Sequence, residues 1–163
     1  MTSSAEWLIE GDELLALIRD RLGAGQIVRY LPFRGVSMMP MLRQGVDTVE
    51  LSPLPEKMKK YDLPVYQYPS GKVVMHRIVD VKDDCYICLG DNTYVYERVT
   101  PDMMIGLVSA FKRGDKRIEV TNPAYRLYAK CWVALYPLRK GWRWGIRTLK
   151  KIVKRLIGWE KRH

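Results

Sequence analysis

The feature that most restricts the fold is a series of short strand-like segments between Gln26 and Val120. Each segment is rich in Val, Ile or Tyr, and residues that favour turns separate it from the next. We therefore predict a small, mainly β and mostly antiparallel domain over residues 26–120. Its candidate strands are DTVELSP, LPVYQYP, KVVMHRIVDVKD, CYICLGD, MIGLVSAF and KRIEV.

An amphipathic helix is predicted before this domain, within residues 1–25. From Ser4 to Leu22 the apolar residues recur close to helical spacing, and Gly23 and Gly25 end the run. The pattern fits a continuous helix or one that is broken near Gly11.

Charge divides the chain into two unequal parts. Between Ala124 and His163 there are 12 of the 28 Lys and Arg residues and a single acid, Glu160. Residues 1–123 hold the remaining 16 basic residues and 17 of the 18 acidic ones. The formal net charge of +10 therefore belongs to the tail. A near-neutral body with a cationic tail favours an anionic partner, either a membrane surface or a nucleic acid.

The basic tail, residues 121–163, is predicted to be helical with breaks at Pro137 and Gly141. Over residues 142–160 an apolar stripe alternates with a basic face at helical spacing. Two interpretations stay open. The helix lies in an anionic membrane surface with its aromatic rings embedded, or it packs on the β domain with its basic face in water. The aromatic residues of the tail that suit a membrane interface are Trp132, Trp142, Trp144 and Trp159.

Cysteine usage and hydropathy set the expected compartment. Three cysteines are an odd number, and no basic, then apolar, N-terminal stretch indicates export. No apolar run approaches the roughly 20 residues of a membrane-spanning helix. We expect a cytoplasmic protein, peripheral at a membrane if the tail binds lipid. Cys85 and Cys88 have CxxC spacing, but with Cys131 they are too few for a zinc site, so no metal and no cofactor is predicted.

Two residues suggest nucleophilic catalysis. Ser37 lies in FRGVSMMPM between Gly35 and Pro40, and a serine hydroxyl becomes a nucleophile only beside an oriented base. The chain has two histidines, and His163 is terminal, which leaves His76 in VVMHRIVDV. On a strand, His76 shares a largely apolar face with its second neighbours. A single strand histidine is more often structural, and the Gly-Asp-Asn at residues 90–92 reads first as a turn.

The order of these segments resembles the type I signal peptidase superfamily of serine peptidases. The segments are GVSMMP, a charged loop with KKYD, VVMHRIV, LGDNTYVYE and MMIGLVSAF, which together cover roughly residues 33–111. Five boxes in order are more specific than any one of them. The resemblance implies a signal-peptidase-like β fold. A histidine at the base position places the chain with the endoplasmic-reticulum-like branch, and not with the branches that use lysine.

The resemblance also implies roles for individual residues. Ser37 matches the nucleophile and His76 the general base. Asp91 matches the acid of the G-D-N box, and Glu97 falls where this branch carries a second acid. Asp91 is therefore the first candidate for the residue that orients His76, and Glu97 the second. The residues expected to shape the cleft beside the nucleophile are Gly35, Met38 and Pro40.

The chain also departs from the pattern of this superfamily. Tyr61-Asp62 stands where the boxes have Gly-Asp, and Leu63-Pro64 follows it. A charged helix also stands where signal peptidases have a membrane-spanning one. The expected activity is a serine endopeptidase acting on an extended, leader- or signal-like peptide. The alternatives are a LexA-type self-cleaving regulator, a catalytically silent peptide binder and a basic-tailed nucleic-acid binder, of which the last is the least favoured.

Overall fold

A computed structural model describes residues 6–32, 35–142, 145 and 148 of the chain. Helix α1 is Glu6–Gly23 and helix α2 is Pro123–Ala134, with a short 3-10 turn at Pro101–Met103. The strands are β1 Val28–Pro32, β2 Thr48–Ser52, β3 Pro64–Gln67, β4 Val73–Met75, β5 Arg77–Val81, β6 Tyr86–Leu89, β7 Glu97–Val99, β8 Met104–Arg113 and β9 Lys116–Glu119.

In the described part of the chain the strands form two sheets, and every pairing is antiparallel. The larger sheet has the order β1-β2-β8-β3-β4, and β9 pairs with the second half of β8. The smaller sheet is β5-β6-β7. The prediction of a mainly antiparallel β domain with flanking helices is confirmed. Strands β1 and β7 were not among the predicted segments.

The main core lies between the larger sheet and the two helices. Ile18 and Leu22 of α1 are buried there beside Phe111 of β8 and Tyr125 of α2. A Cβ on Gly106 would lie 2.7 Å from Cδ1 of Leu22, so glycine allows α1 to approach β8 closely. Burial of each such aliphatic side chain stabilises the fold by roughly 1.5–3 kcal/mol.

The helix boundaries follow local capping chemistry. Helix α1 ends one residue after the predicted end and runs through Gly11 without a break, and its predicted start at Ser4 lies outside the described residues. Asn122 caps the N-terminus of helix α2, and its side-chain oxygen accepts hydrogen bonds from the backbone N–H groups of Ala124 and Tyr125. Pro123 occupies the first turn, where a missing N–H costs little.

The tail is only partly described. Helix α2 ends at Ala134, earlier than the predicted break at Pro137, and residues 136–142 are again helical. Gly141, predicted to break the helix, lies within that second stretch. The amphipathic helix predicted over residues 142–160 falls almost entirely outside the described residues. Among the described helices, none has the length and apolar character needed to cross a bilayer.

Candidate active site

Ser37 lies in a compact turn between β1 and β2. Gly35 has φ 101°, a left-handed conformation that suits glycine, and its N–H donates to Oε1 of Gln44 at 2.8 Å. Within the turn, the N–H of Met39 donates to the carbonyl of Val36, and the side chain of Met38 is buried. The turn is therefore fixed both by its own hydrogen bonds and by a side chain in the core, while Ser37 remains partly exposed.

Two residues expected to line the cleft beside Ser37 are placed differently. Met38 packs in the main core with Met41 and Leu42, away from the cleft. Pro40 is exposed and lines a separate groove of about 610 Å³ against the C-terminal helical region. Of the three predicted cleft residues, Gly35 alone lines the cleft that contains Ser37.

His76 lies at a junction between the two sheets. The prediction that Val74, His76 and Ile78 share one face of a single strand is wrong, because the strand breaks at His76. Strand β4 stays in the larger sheet, whereas Ile78 of β5 exchanges backbone hydrogen bonds with Tyr61 and Asp62 and enters the smaller one. The break leaves the imidazole 6% exposed at the seam between the sheets.

Glu97 is the acid that contacts His76. Its Oε2 lies 2.6 Å from Nδ1 of His76. Glu97 begins β7 and pairs with Cys88 of β6, which fixes the direction of its side chain. The hydroxyl of Tyr66 donates to the same oxygen and lies 3.3 Å from Nδ1.

Asp91 has a different role from the one expected first. It accepts two hydrogen bonds from Arg77, at 2.9 Å from Nε and 2.7 Å from Nη2, and both side chains are buried. Asp91 is therefore the partner of a buried guanidinium. The prediction that Asp91, ahead of Glu97, orients His76 is wrong. A bidentate guanidinium satisfies both carboxylate oxygens of Asp91, whereas Glu97 reaches the imidazole from the strand that follows the loop.

Arg77 joins several parts of the site. Its Nη1 donates to the hydroxyl of Tyr125 in α2 at 2.9 Å, and its Nη2 lies 3.0 Å from the sulfur of Met41. The guanidinium is fully buried, and Asp91 raises its pKa far enough to outweigh the effect of burial, so it stays charged. A single charged pair thus ties the strand after His76, the loop after β6, the turn of Ser37 and helix α2 to one another.

The Gly-Asp-Asn turn brings Ser37 and His76 together. The backbone N–H of Asn92 donates to the carbonyl of Ser37 at 2.7 Å, and its side-chain amide donates to the carbonyl of Val36 at 3.1 Å. A Cβ on Gly90 would lie 2.8 Å from Nε2 of His76 and 2.9 Å from the carbonyl oxygen of Ser37. The imidazole and the turn of Ser37 therefore both press against the Cα of Gly90.

Ser37, His76 and Glu97 open into one cleft of about 920 Å³. Among the contacts of the described residues, no hydrogen bond joins the Ser37 hydroxyl to Nε2 of His76. Catalytic hydrogen bonds are often long without substrate and tighten when it binds. The floor and walls are largely apolar and come from α1, β2, β3, β4 and β8; the aliphatic residues that form them are Leu14, Leu15, Ile18, Val49, Leu51, Val65, Val73, Val74 and Ile105.

Residues after the β domain also hold the site. The carbonyl of Asp91 accepts hydrogen bonds from Nε1 of Trp132 at 3.0 Å and from Nη1 of Arg139 at 2.7 Å. The guanidinium of Arg139 stacks on the Trp132 ring with its carbon 4.0 Å from the ring centroid. This part of the tail therefore packs on the β domain, at the loop that positions Ser37.

The cysteines lie apart from this chemistry. Cys85, just before β6, and Cys88, within β6, are free and buried, and Cys131 is exposed. Burial, together with the nearby Glu97 carboxylate, raises the pKa of the Cys88 thiol to about 12, so the thiol stays protonated. Within the ranges that the structure describes, no group of three or more His, Cys, Asp or Glu side chains is arranged to hold a metal ion.

Two residues that contact the candidate site, Tyr66 and Arg77, were not identified from the sequence. The sequence gives no sign that Tyr66 differs from any other tyrosine on a strand. Arg77 follows His76 on a segment that was predicted to be one continuous strand. The one available signal for Arg77 was charge within a Val- and Ile-rich run, since a buried guanidinium requires a buried acid.

In comparisons with known proteins, no family model, no curated protein and no solved structure matched the chain.

Proposed function

We propose that this protein is a serine endopeptidase with Ser37 as nucleophile, His76 as general base and Glu97 as the acid that orients the imidazole. The observation that carries the proposal is the contact of Glu97 with Nδ1 of His76, while Nε2 of the same ring lies against Gly90 beside the Ser37 turn. All three residues open into the same cleft. This is the arrangement of roles that activates a serine hydroxyl.

The chemistry is acyl transfer. As Oγ of Ser37 bonds to the substrate carbonyl carbon, its proton passes to Nε2 of His76 and the carbonyl electrons move to oxygen. Backbone N–H groups of the Ser37 turn stabilise this oxyanion. The carbonyl re-forms as the peptide C–N bond breaks, and the leaving amine takes the proton from His76. Water then attacks the acyl-enzyme with His76 as base, which releases the acid and restores Ser37.

The cleft favours an extended peptide with apolar side chains near the scissile bond. Strand β4 is the last strand on its side of the larger sheet, and it leads directly to His76. A peptide can add to such an edge through its backbone, with alternate side chains entering the cleft. Because the cleft is walled by aliphatic residues of four strands and α1, large aliphatic substrate side chains are expected there.

The proposal includes a signal-peptidase-like fold, which the sequence boxes suggested. One backbone feature supports it independently. Tyr61 stands where those boxes have glycine, and it has φ 81°, a left-handed conformation that tyrosine rarely adopts and glycine adopts freely. The turn therefore has the geometry for which the motif uses glycine. The N–H of Tyr61 donates to the carbonyl of Ile78, two residues beyond the proposed base.

The decisive experiment combines labelling and cleavage. A fluorophosphonate probe is expected to label wild-type protein at Ser37, and a mixed peptide library incubated with the protein is expected to yield cut products by mass spectrometry. Ser37→Ala and His76→Ala should each abolish both signals while circular dichroism stays native. Ser70→Ala, in an exposed turn between β3 and β4, is the matched control and should keep both.

The alternatives give different outcomes. Retention of wild-type cleavage by Ser37→Ala would refute the assignment. Peptide binding without any labelling or cleavage would favour a silent binder, whereas cleavage of the chain itself, lost in Ser37→Ala, would favour a self-cleaving regulator.

A further inference from the structure

Tyr66 is a buried tyrosine whose hydroxyl reaches the proposed catalytic pair. It lies on β3, is 0% exposed, and packs edge-on against Tyr68 with ring centroids 5.7 Å apart. Phenylalanine would fill the same volume, so packing alone does not require the hydroxyl. Burying a hydroxyl costs free energy unless it is hydrogen-bonded. Here it donates to Oε2 of Glu97, the oxygen that also contacts His76.

The number of protons fixes the direction of these hydrogen bonds. A tyrosine hydroxyl has one proton to donate, and Tyr66 gives it to Glu97. Burial, followed by the neighbouring Glu97 carboxylate, raises the pKa of Tyr66 far above its ordinary value, so the hydroxyl remains a donor. The 2.6 Å contact between Nδ1 of His76 and Glu97 then requires the proton to be on Nδ1. In the neutral imidazole Nε2 then keeps its lone pair, as a general base needs.

We propose that Tyr66 is a positioning residue that holds Glu97 and thereby keeps His76 in the tautomer protonated at Nδ1. This inference rests on the proposed function of Ser37, His76 and Glu97. The Tyr66 hydroxyl also lies 3.3 Å from Nδ1 of His76, so it is close enough to affect the tautomer directly. Without the Glu97 carboxylate, the hydroxyl donates to Nδ1 instead and favours the tautomer protonated at Nε2, which cannot accept the serine proton.

The first measurement is the rate at which a fluorophosphonate labels Ser37, since it requires no identified substrate. Tyr66→Phe is expected to slow labelling by about 10- to 100-fold, the effect of losing one hydrogen bond to a charged group. Tyr128→Phe is the matched control. It removes another buried tyrosine hydroxyl, one with no hydrogen-bond partner among the described residues, and should leave the rate unchanged.

The second measurement is a double-mutant cycle between Tyr66 and Glu97. In the Glu97→Ala background, Tyr66→Phe should leave the labelling rate unchanged or raise it, because the hydroxyl there stabilises the unproductive tautomer. Equal slowing by Tyr66→Phe in both backgrounds would show that Tyr66 acts independently of Glu97 and would overturn the inference.

The third measurement reads the tautomer directly and does not depend on activity. Nitrogen-15 NMR of the imidazole should place the His76 proton on Nδ1 in wild type and on Nε2 in Glu97→Ala, a variant that retains Tyr66. A proton on Nδ1 in both proteins would refute the positioning role even if Tyr66→Phe failed to fold. If wild type is not labelled at Ser37 but the tautomer changes as stated, the proposed function fails, and what remains is that Glu97 and Tyr66 set the tautomer of His76 without a catalytic role.

Discussion

Gly90 lies at a point of the site that has no space for a side chain. It separates the imidazole of His76 from the carbonyl of Ser37, and a methyl group there would lie within 3 Å of both. One of these two contacts is with backbone, which cannot move aside without shifting the turn. From the sequence, Gly90 is predicted to be a turn residue. In the structure, its position requires a residue without a side chain.

We therefore expect Gly90→Ala to displace His76, the proposed base, from Ser37, the proposed nucleophile. A misplacement of about 1 Å can lower a reaction rate by about 100-fold, and a fall of that order in the rate of Ser37 labelling is expected. Gly23→Ala is the control, since a Cβ there would meet no atom within 4 Å. Labelling of Gly90→Ala at the wild-type rate would show that His76 does not need its observed position.

The acids illustrate what the sequence determines at this scale. The order of Ser37, His76, Asp91 and Glu97 was sufficient to select the candidate residues, because it matches the order of the sequence boxes in the superfamily that the chain resembles. It was not sufficient to rank the two acids. That ranking depends on Arg77, which takes both oxygens of Asp91, and on the pairing of Glu97 with Cys88 that directs its side chain. Both are long-range contacts that local patterns do not encode.

Among the elements, α1 lines the proposed substrate cleft with Leu14, Leu15 and Ile18. Leu14 and Leu17 lie one turn apart and have similar exposure, 45% and 49%, but only Leu14 lines the cleft that holds Ser37. Both leucines also line a neighbouring groove formed with residues 26–29. The helix therefore offers a matched pair of leucines that differ in whether they reach the cleft of Ser37.

Leu14→Ala is expected to raise KM for a cleaved peptide with a large aliphatic residue near the scissile bond by about 3- to 10-fold, because one buried contact of roughly 1 kcal/mol is lost. The rate of Ser37 labelling should not change. Leu17→Ala should leave both quantities at wild-type values. Equal effects of the two substitutions on KM would show that α1 acts on stability and not on the substrate.

The ion pair of Arg77 and Asp91 links elements that are distant in sequence. Arg77→Met leaves the Asp91 carboxylate buried without its partner, and breaking such a pair typically costs about 3–5 kcal/mol. Urea denaturation should show a loss of this size in the free energy of unfolding. Arg98→Met, which removes an exposed ion pair with Asp84, should change it little. Similar losses for both variants would contradict the central role assigned to Arg77.

At the scale of the whole molecule, acid stability is expected to depend on Glu50. This buried carboxylate on β2 receives two hydrogen bonds from Arg117 of β9, at 2.8 and 3.0 Å, and these, more than any other contact, lower its pKa. A lowered pKa in the folded state contributes stability at pH values above the unfolded value, about 4.3, and that contribution is lost as the pH falls through the folded pKa.

Glu50→Gln should therefore lower the melting temperature at pH 7. Between pH 5 and pH 3 the melting temperature of this variant should fall less than that of wild type. The exposed Glu56 provides the control substitution, Glu56→Gln, for which the melting curve should follow wild type across this range. A Glu50→Gln variant with an unchanged dependence on pH would assign the acid sensitivity to other carboxylates.

The general architecture could be predicted from the sequence because it depends on local composition and periodicity. Short Val-, Ile- and Tyr-rich segments form strands in the structure, and Asn122-Pro123 marks the start of helix α2. The break at His76 could not be predicted, since KVVMHRIVDV has the pattern of one uninterrupted strand. The chain divides there because Ile78 finds backbone partners at Tyr61 and Asp62, a pairing decided by tertiary structure.

The attachment of Asp91 to Trp132 and Arg139 has a consequence for the protein during its own synthesis. A chain leaves the ribosome from its N-terminus, so Ser37, His76 and Glu97 emerge well before the two residues that hold the Asp91 carbonyl. The loop that contacts both Ser37 and His76 gains these hydrogen bonds only after residue 139 has been synthesised. A nascent chain therefore carries the three proposed catalytic side chains before the contacts that fix their geometry can form.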